Sequence, residues 1–311
     1  MRDYAVEVED LVKTFGSFVA VDHIHFQVEK GEIFGFLGPN GAGKSTTIRM
    51  LCGLLLPTSG KGSVSGFDIM RESEKIKQVI GYMSQKFSLY EDLTVEENLH
   101  FFGGIYGLSG SSQREREERV LEMTSLKELR DRMTRTLAVG WKQRVALGCA
   151  ILHEPSILFL DEPTSGVDPI SRRNFWRLIR QMGEREETAF VTTHYMDEAE
   201  YCDRLALIYQ GKVIALGTPS ELKLKTLPQG VLEVECDLLM PALDLLKKEP
   251  WISEAAIFGD CLHVIVKEGA DPEREMSPLF SKHGIQLRKL GRIRPSLEDV
   301  FVSLIERAEN P

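Results

Sequence analysis

Up to about residue 216, short apolar runs rich in β-branched and aromatic residues alternate with longer stretches whose apolar positions recur at helical spacing. Runs at 32–37, 79–83, 157–160, 188–192 and 205–209 predict buried strands, too uniformly apolar for one wet face. Between residues 93 and 151 the spacing turns helical, most clearly over 94–106 and 113–121, which predicts a helical insertion between strands. Alternating strands and helices of this kind point to an α/β layer structure.

Gly217-Thr218-Pro219, a short helical stretch to Thr226 and Pro228-Gln229-Gly230 then interrupt the pattern. Beyond the break, Leu232, Val234 and Cys236 fall on one side of an extended run and Glu233, Glu235 and Asp237 on the other, as in a strand with one solvated face. Gly259-Asp260 separates two further strand candidates at 255–258 and 261–266 as a two-residue hairpin turn. With helices expected at 241–248, 273–283 and 296–307 and a strand at 285–290, the tail reads as a small split βαβ sandwich. The division expected is therefore residues 1–220 and 221–311.

Size agrees, since 311 residues exceed what one hydrophobic core ordinarily serves. With 38 Lys+Arg against 47 Asp+Glu, the net charge is -9, a field that repels polyanions, so nucleic acid is not an expected partner. No run approaches the roughly 18 apolar residues of a membrane span, and the acidic beginning of the chain is unlike a signal peptide; a cytosolic location is expected. Cys52, Cys149, Cys202, Cys236 and Cys261 show no C-x-x-C spacing and sit among apolar neighbours, as buried thiols do.

Chemistry enters at Gly38-Pro39-Asn40-Gly41-Ala42-Gly43-Lys44-Ser45, which fits G-x-x-x-x-G-K-[ST] between the strand ending at Leu37 and a helix over 45–51. Glycines let successive backbone N–H groups point into one concavity, and the helix N-terminus adds positive potential. Lys44 can then reach terminal phosphates while the Ser45 hydroxyl ligates Mg2+. A nucleoside triphosphate site is predicted, with Thr46 at its edge. The apolar strand Ile157-Leu158-Phe159-Leu160 ends in Asp161 and Glu162. In proteins with such a loop the first carboxylate holds Mg2+ beside the loop hydroxyl, and the second is placed to orient or deprotonate the attacking water.

Further segments follow in a fixed order: Gln85 after the strand at 79–83, Leu137-Ala138-Val139-Gly140-Trp141-Lys142-Gln143-Arg144 before a helix, Pro163 to Pro169 after the carboxylates, and His194 at the end of a strand. In that order they resemble the ATP-binding cassette of ABC transporters over about residues 4–220. The resemblance implies a P-loop cassette of mixed sheet and helices, with a helical subdomain near 87–152, followed by a small α+β domain. It implies ATP and Mg2+ as cofactors, Phe15 as the ring on which adenine stacks, and Gln85 as a contact to Mg2+ and water. It also makes His194 the histidine that bonds the γ-phosphate and Asp168 the aspartate of a loop running along a partner cassette.

One stretch departs from the family. Where L-S-G-G-Q is usual, Ala138 removes the hydroxyl that bonds the ATP of a partner cassette, a charge-assisted hydrogen bond worth about 1.5–3 kcal/mol. Gly140 and the following helix N-terminus still offer N–H groups to that phosphate, so weakened cross-subunit engagement is expected. The resemblance further implies a second cassette, here a homodimer, and separate integral membrane permease subunits at the cytoplasmic face of the membrane. Their docking is expected near Gln85 to Tyr90, where Phe87, Leu89 and Tyr90 look exposed. Pro295-Ser296-Leu297-Glu298-Asp299-Val300-Phe301 is similar to the C-terminal extension of exporter ATPases of drug-resistance, lipid and polysaccharide systems, which makes the tail a regulatory or dimer-stabilising module and the transport export. Two alternatives stand beside this reading: a soluble ABC ATPase of translation or DNA repair, against which the acidic charge and single cassette weigh, and a nucleotide-dependent regulator with weak hydrolysis, which the altered signature would suit.

Overall fold

The computed structural model describes residues 3–86, 88–183 and 187–309. They form two compact units, Met1–Thr218 and Pro219–Pro311. Phe87 lies outside the described residues, so its expected exposure has no structural counterpart.

The first unit opens with two long strands, β1 (Tyr4–Phe15) and β2 (Phe18–Glu29), followed by β3 (Ile33–Leu37) and α1 (Lys44–Leu51). Next come β4 (Ser59–Val64), β5 (Phe67–Asp68), α2 (Ser73–Val79), β6 (Ile80–Met83) and a helical section of α3 (Val95–Ile105), α4 (Gly110–Met123) and α5 (Val139–Ile151). The unit closes with β7 (Ile157–Asp161), α6 (Pro169–Gly183), β8 (Thr188–Thr193), β9 (Arg204–Tyr209) and β10 (Lys212–Gly217). One sheet runs β2-β1-β4-β5 and a second β10-β9-β3-β8-β7-β6. In the second, β9, β3, β8, β7 and β6 are parallel and β10 is antiparallel to β9. Every residue of β3 and β7 is buried, as the uniformly apolar runs require. The core between the sheets is aromatic: Phe26 of β2 lies 5.7 Å from Phe34, 5.5 Å from Phe36 and 5.9 Å from Phe190 of β8.

The sequence reading found the five parallel strands of the second sheet and passed over its antiparallel edge strand β10 and the whole of the first sheet. Repeated register shifts along β1, between Tyr4 and Val6, Val8 and Leu11, and again around Lys13, break the two-residue alternation by which a half-buried strand is recognised. Val79, expected to open a strand, instead ends α2. In the helical section α3 starts on a reciprocal cap: Thr94 Oγ1 accepts from the Glu97 N–H at 3.1 Å and Glu97 Oε2 from the Thr94 N–H at 2.8 Å.

The second unit contains α7 (Pro219–Thr226), β11 (Val231–Cys236), α8 (Leu239–Leu246), β12 (Ile252–Phe258), β13 (Cys261–Val266), α9 (Pro272–Lys282), β14 (Leu287–Ile293) and α10 (Leu297–Glu309). Its sheet order, β12-β13-β11-β14, with every neighbour antiparallel, is the split βαβ arrangement expected. The last strand sits two to three residues later than predicted, because Ile285 packs into the core from the turn before it. All five cysteines are buried and free.

Candidate nucleotide site

Parallel strands bring the candidate residues to one edge of the sheet. Leu37 is level with Thr193, Asp161 with Thr192, and Met83 with Leu160, so the segments after β3, β8, β7 and β6 emerge side by side at the carboxyl ends of their strands. That edge is where open α/β sheets bind ligands.

The loop after β3 needs its first and last glycines for different reasons. A Cβ on Gly38 would stand 2.1 Å from the Ile208 carbonyl oxygen. Gly43 has φ 108 at the start of α1, a left-handed conformation disfavoured for side-chain-bearing residues, and a Cβ there would lie 2.5 Å from the Ala20 carbonyl oxygen. Pro39, Asn40, Gly41 and Ala42 complete the turn, with the Ala42 N–H bonded to the Pro39 carbonyl at 3.2 Å. Ser45 and Thr46, in the first turn of α1, are half-buried at the loop's edge. Lys44 is 4% exposed; its Nζ donates to the Gly38 and Pro39 carbonyls at 2.8 and 3.1 Å and pairs with Glu162 Oε1 at 3.1 Å.

Glu162 is the hub. Besides Lys44 it accepts from Gln85 Nε2 at 3.1 Å and lies 3.2 Å from His194 Nδ1, so three residues far apart in sequence converge on one carboxylate. Its backbone adopts φ 47, a left-handed conformation that turns the side chain out of the strand line, and its N–H is held by the Thr192 carbonyl and hydroxyl at 3.1 and 3.0 Å. Asp161 faces the loop: its Oδ1 accepts from Ser45 Oγ at 3.0 Å and Thr192 Oγ1 at 2.7 Å. The other oxygen, Oδ2, is buried with no hydrogen-bond partner. Burial pushes the Asp161 carboxyl above the usual carboxylate range; the Thr192 and Ser45 hydrogen bonds oppose that shift, and the Glu162 charge adds to it.

The remaining candidates stand elsewhere on the unit. Phe15 ends β1, 50% exposed, with Lys13 Nζ 5.1 Å from its ring centroid. Gly140 lies in the first turn of α5, whose N-cap, Ala138, makes no side-chain cap bond; Trp141 is stacked under the Arg144 guanidinium at 4.8 Å. Asp168 Oδ1 accepts from the Ile170 and Ser171 N–H groups at 3.1 and 3.0 Å, capping α6.

Sequence reasoning missed two supports. Thr192 joins the Asp161 carboxylate to the Glu162 backbone N–H, but a threonine inside an apolar strand carries no motif. Behind the segment after Glu162, Thr164 Oγ1 donates to the fully buried Glu198, which also lies 3.4 Å from Arg172 Nε. A Glu spaced from the strand end after His194 signals nothing until the fold folds it inward.

The ABC transporter family profile matches residues 21–165. The probable multidrug ABC transporter ATP-binding protein YbhF of Escherichia coli K12 is 58% identical over 218 residues, 70% of this chain but 38% of that protein, so the chain spans little more than a third of this relative. The linearmycin resistance ATP-binding protein LnrL of Bacillus subtilis is 36% identical over 307 residues, 97% of this chain and 98% of that one. Among solved structures, cbiO1 from Clostridium perfringens, part of the transporter complex cbiONQ, superposes with a TM-score of 0.66 at 31% identity, covering 71% of this chain and 90% of the other. The cassette MJ0796, dimeric in a post-hydrolysis state with ADP and Pi, does so with a TM-score of 0.62 at 25% identity, covering 68% of this chain and 98% of that one. Full-length similarity to LnrL, added to a phosphate loop and two carboxylates at the edge of this sheet, establishes that the chain belongs to the ABC transporter family as one of its ATP-binding proteins.

Proposed function

We propose that this protein hydrolyses ATP with Mg2+ at the site around Glu162 and thereby powers export through separate membrane subunits, acting at the cytoplasmic face of the membrane as one of two paired cassettes. The observation that carries the reading is the convergence of Lys44, Gln85 and His194 on Glu162 beside the phosphate loop. In this reading Lys44 exchanges the carboxylate for phosphate oxygens when a triphosphate enters, and the released Glu162 orients the attacking water and accepts its proton. His194 and Gln85 position that water and the terminal phosphate, while Phe15 offers its exposed face to adenine.

The donor set suits Mg2+. Ser45 Oγ and the partnerless Asp161 Oδ2 are hard oxygen ligands beside the loop, and Gln85 adds an amide. Bound there, Mg2+ neutralises charge on the phosphates. Asp161, Ser45 and Gln85 would hold it.

Among the described residues no helix is long and apolar enough to cross a membrane, in keeping with separate permease subunits. A cleft of about 820 Å³ lined by Leu54, Gln78, Tyr82, Ile105, Tyr106 and His153 supports their docking; Leu54 is 52% and Ile105 61% exposed. Tyr90, in the segment expected to dock, is half-exposed and packs edge-on against Phe101 at 4.6 Å. Export follows the drug-resistance relative, LnrL, that matches the whole chain. The test is affinity purification of tagged protein from solubilised membranes, with Mg2+-dependent phosphate release measured on the product. Recovery of a multi-span membrane protein, and turnover lost in Glu162→Gln, are expected; recovery with ribosomes or DNA instead would overturn the transport reading.

A further inference from the structure

We propose that the second unit carries a binding site for a zinc-class divalent cation, formed by Glu233 of β11 with Cys261 and His263 of β13, independent of the nucleotide site. One ligand atom from each of these residues lies within 4.8 Å of the others. Strand pairing produces the cluster: Glu233 is directly opposite His263, and Cys261, two residues back along β13, projects from the same face. A thiolate, an imidazole and a carboxylate make a mixed set that suits tetrahedral Zn2+ rather than Mg2+ or Ca2+. In such a site the ligand atoms stand about 3.4–3.6 Å apart, so side-chain rotation of about 1 Å closes the cluster.

A second observation aims the histidine. His263 Nδ1 is bonded to Asp299 Oδ1 at 2.6 Å, and the Asp299 side chain is 3% exposed. Phe258 stacks on the imidazole with ring centroids 4.1 Å apart and planes 5° from parallel. The carboxylate therefore fixes the ring and leaves Nε2 as the free ligand nitrogen, the carboxylate–histidine arrangement that supports metal ligation. Asp299 is itself tied down, its Oδ2 accepting from the Ser296 N–H and hydroxyl at 2.7 Å each. Glu233 is 24% exposed and gives the ion a way in from solvent. Lys289 now neutralises this carboxylate, with Nζ 2.5 Å from Glu233 Oε1 and 3.0 Å from Glu235 Oε1, and Cys261 Sγ donates to the Phe258 carbonyl at 3.1 Å. On binding, the metal replaces the thiol proton, which leaves to solvent, and competes with the Lys289 ammonium for Glu233. The fourth position remains open to water. Occupied, the site joins β11, β13 and, through Asp299, the first turn of α10.

The test is a titration of the purified full-length, metal-stripped chain with Zn2+ by calorimetry and with Co2+ by absorption, without nucleotide. One ion per chain and a sulfur-to-cobalt charge-transfer band are expected. Cys261→Ser should abolish the band, Glu233→Gln and His263→Gln should weaken Zn2+ by about tenfold or more, and Lys289→Met should tighten it. Absence of stoichiometric binding at micromolar Zn2+, or a band that survives Cys261→Ser, overturns the proposal. Should Cys261→Ser fail to fold, Glu233→Gln decides alone: full wild-type affinity in that variant is equally fatal.

Discussion

Replacing Glu162 with glutamine separates the two tasks assigned to this carboxylate. In the nucleotide-free protein it neutralises Lys44, and both side chains are almost wholly buried, at 6% and 4% exposure. Leaving one member of a buried pair uncompensated costs about 3–5 kcal/mol. Here Lys44 keeps its bonds to the Gly38 and Pro39 carbonyls, and glutamine retains an acceptor oxygen, so about 1–3 kcal/mol is expected. For a unit of this size each kcal/mol lowers the melting temperature by about 2–4 °C. The same free energy should reappear as tighter nucleotide binding, since Lys44 no longer has to leave a carboxylate to meet phosphate: about 5- to 150-fold, at 1.4 kcal/mol per factor of ten. Turnover should fall by about 10²–10⁴-fold with the loss of the base. Three assays suffice: thermal melting without nucleotide, equilibrium titration with a fluorescent ATP analogue in chelator, and phosphate release. A Glu162→Gln protein that loses turnover yet melts with the wild type and binds nucleotide no tighter would refute the exchange of partners by Lys44.

Other consequences can be measured separately. Because burial holds the Asp161 carboxyl above its ordinary range, the folded state disfavours the carboxylate; the penalty is absent below the unfolded value and grows as pH rises through the folded one. Asp161→Asn should therefore raise the melting temperature of nucleotide-free protein at about pH 7.5 and change it little at about pH 4, while abolishing Mg2+-dependent turnover; an equal shift at both pH values would contradict this. Phe15→Ala should weaken ATP by about 1–3 kcal/mol through lost stacking and leave inhibition by tripolyphosphate, which has no base, unchanged. The double change Ala138→Ser, Val139→Gly restores a hydroxyl at the N-cap of α5, where a serine cap is worth about 1 kcal/mol to the helix. Its ATPase rate should rise, and an unchanged rate would count against a weakened signature.

How much of this was legible in the chain depended on whether a residue's role is local. The phosphate loop could be read because its pattern is contiguous over eight residues, even though Gly38 and Gly43 also answer to the distant carbonyls of Ile208 and Ala20, and Asp161-Glu162 because they end an uninterrupted apolar run. The first sheet was hidden by the bulges of β1, and α6 was overlooked although Phe175, Trp176, Leu178, Ile179 and Met182 are buried along one helix. Thr192, Glu198 and Arg172 were out of reach for another reason: each acquires its partner only when β8 pairs with β7 or when the segment after β8 folds back. Likewise the pairing of His263 with Asp299 spans 36 residues and has no signature in spacing.

The left-handed backbone at Glu162 sets stability against rate in this loop. A residue with a side chain gives up about 1–2 kcal/mol in that conformation, and glycine or asparagine would be more at ease there. Relieving the backbone alone would strand Lys44 without its counter-charge, at about 1–3 kcal/mol, so a small residue at this position makes a sturdier loop only where Lys44 changes with it, and a loop that has given up both charges would be idle.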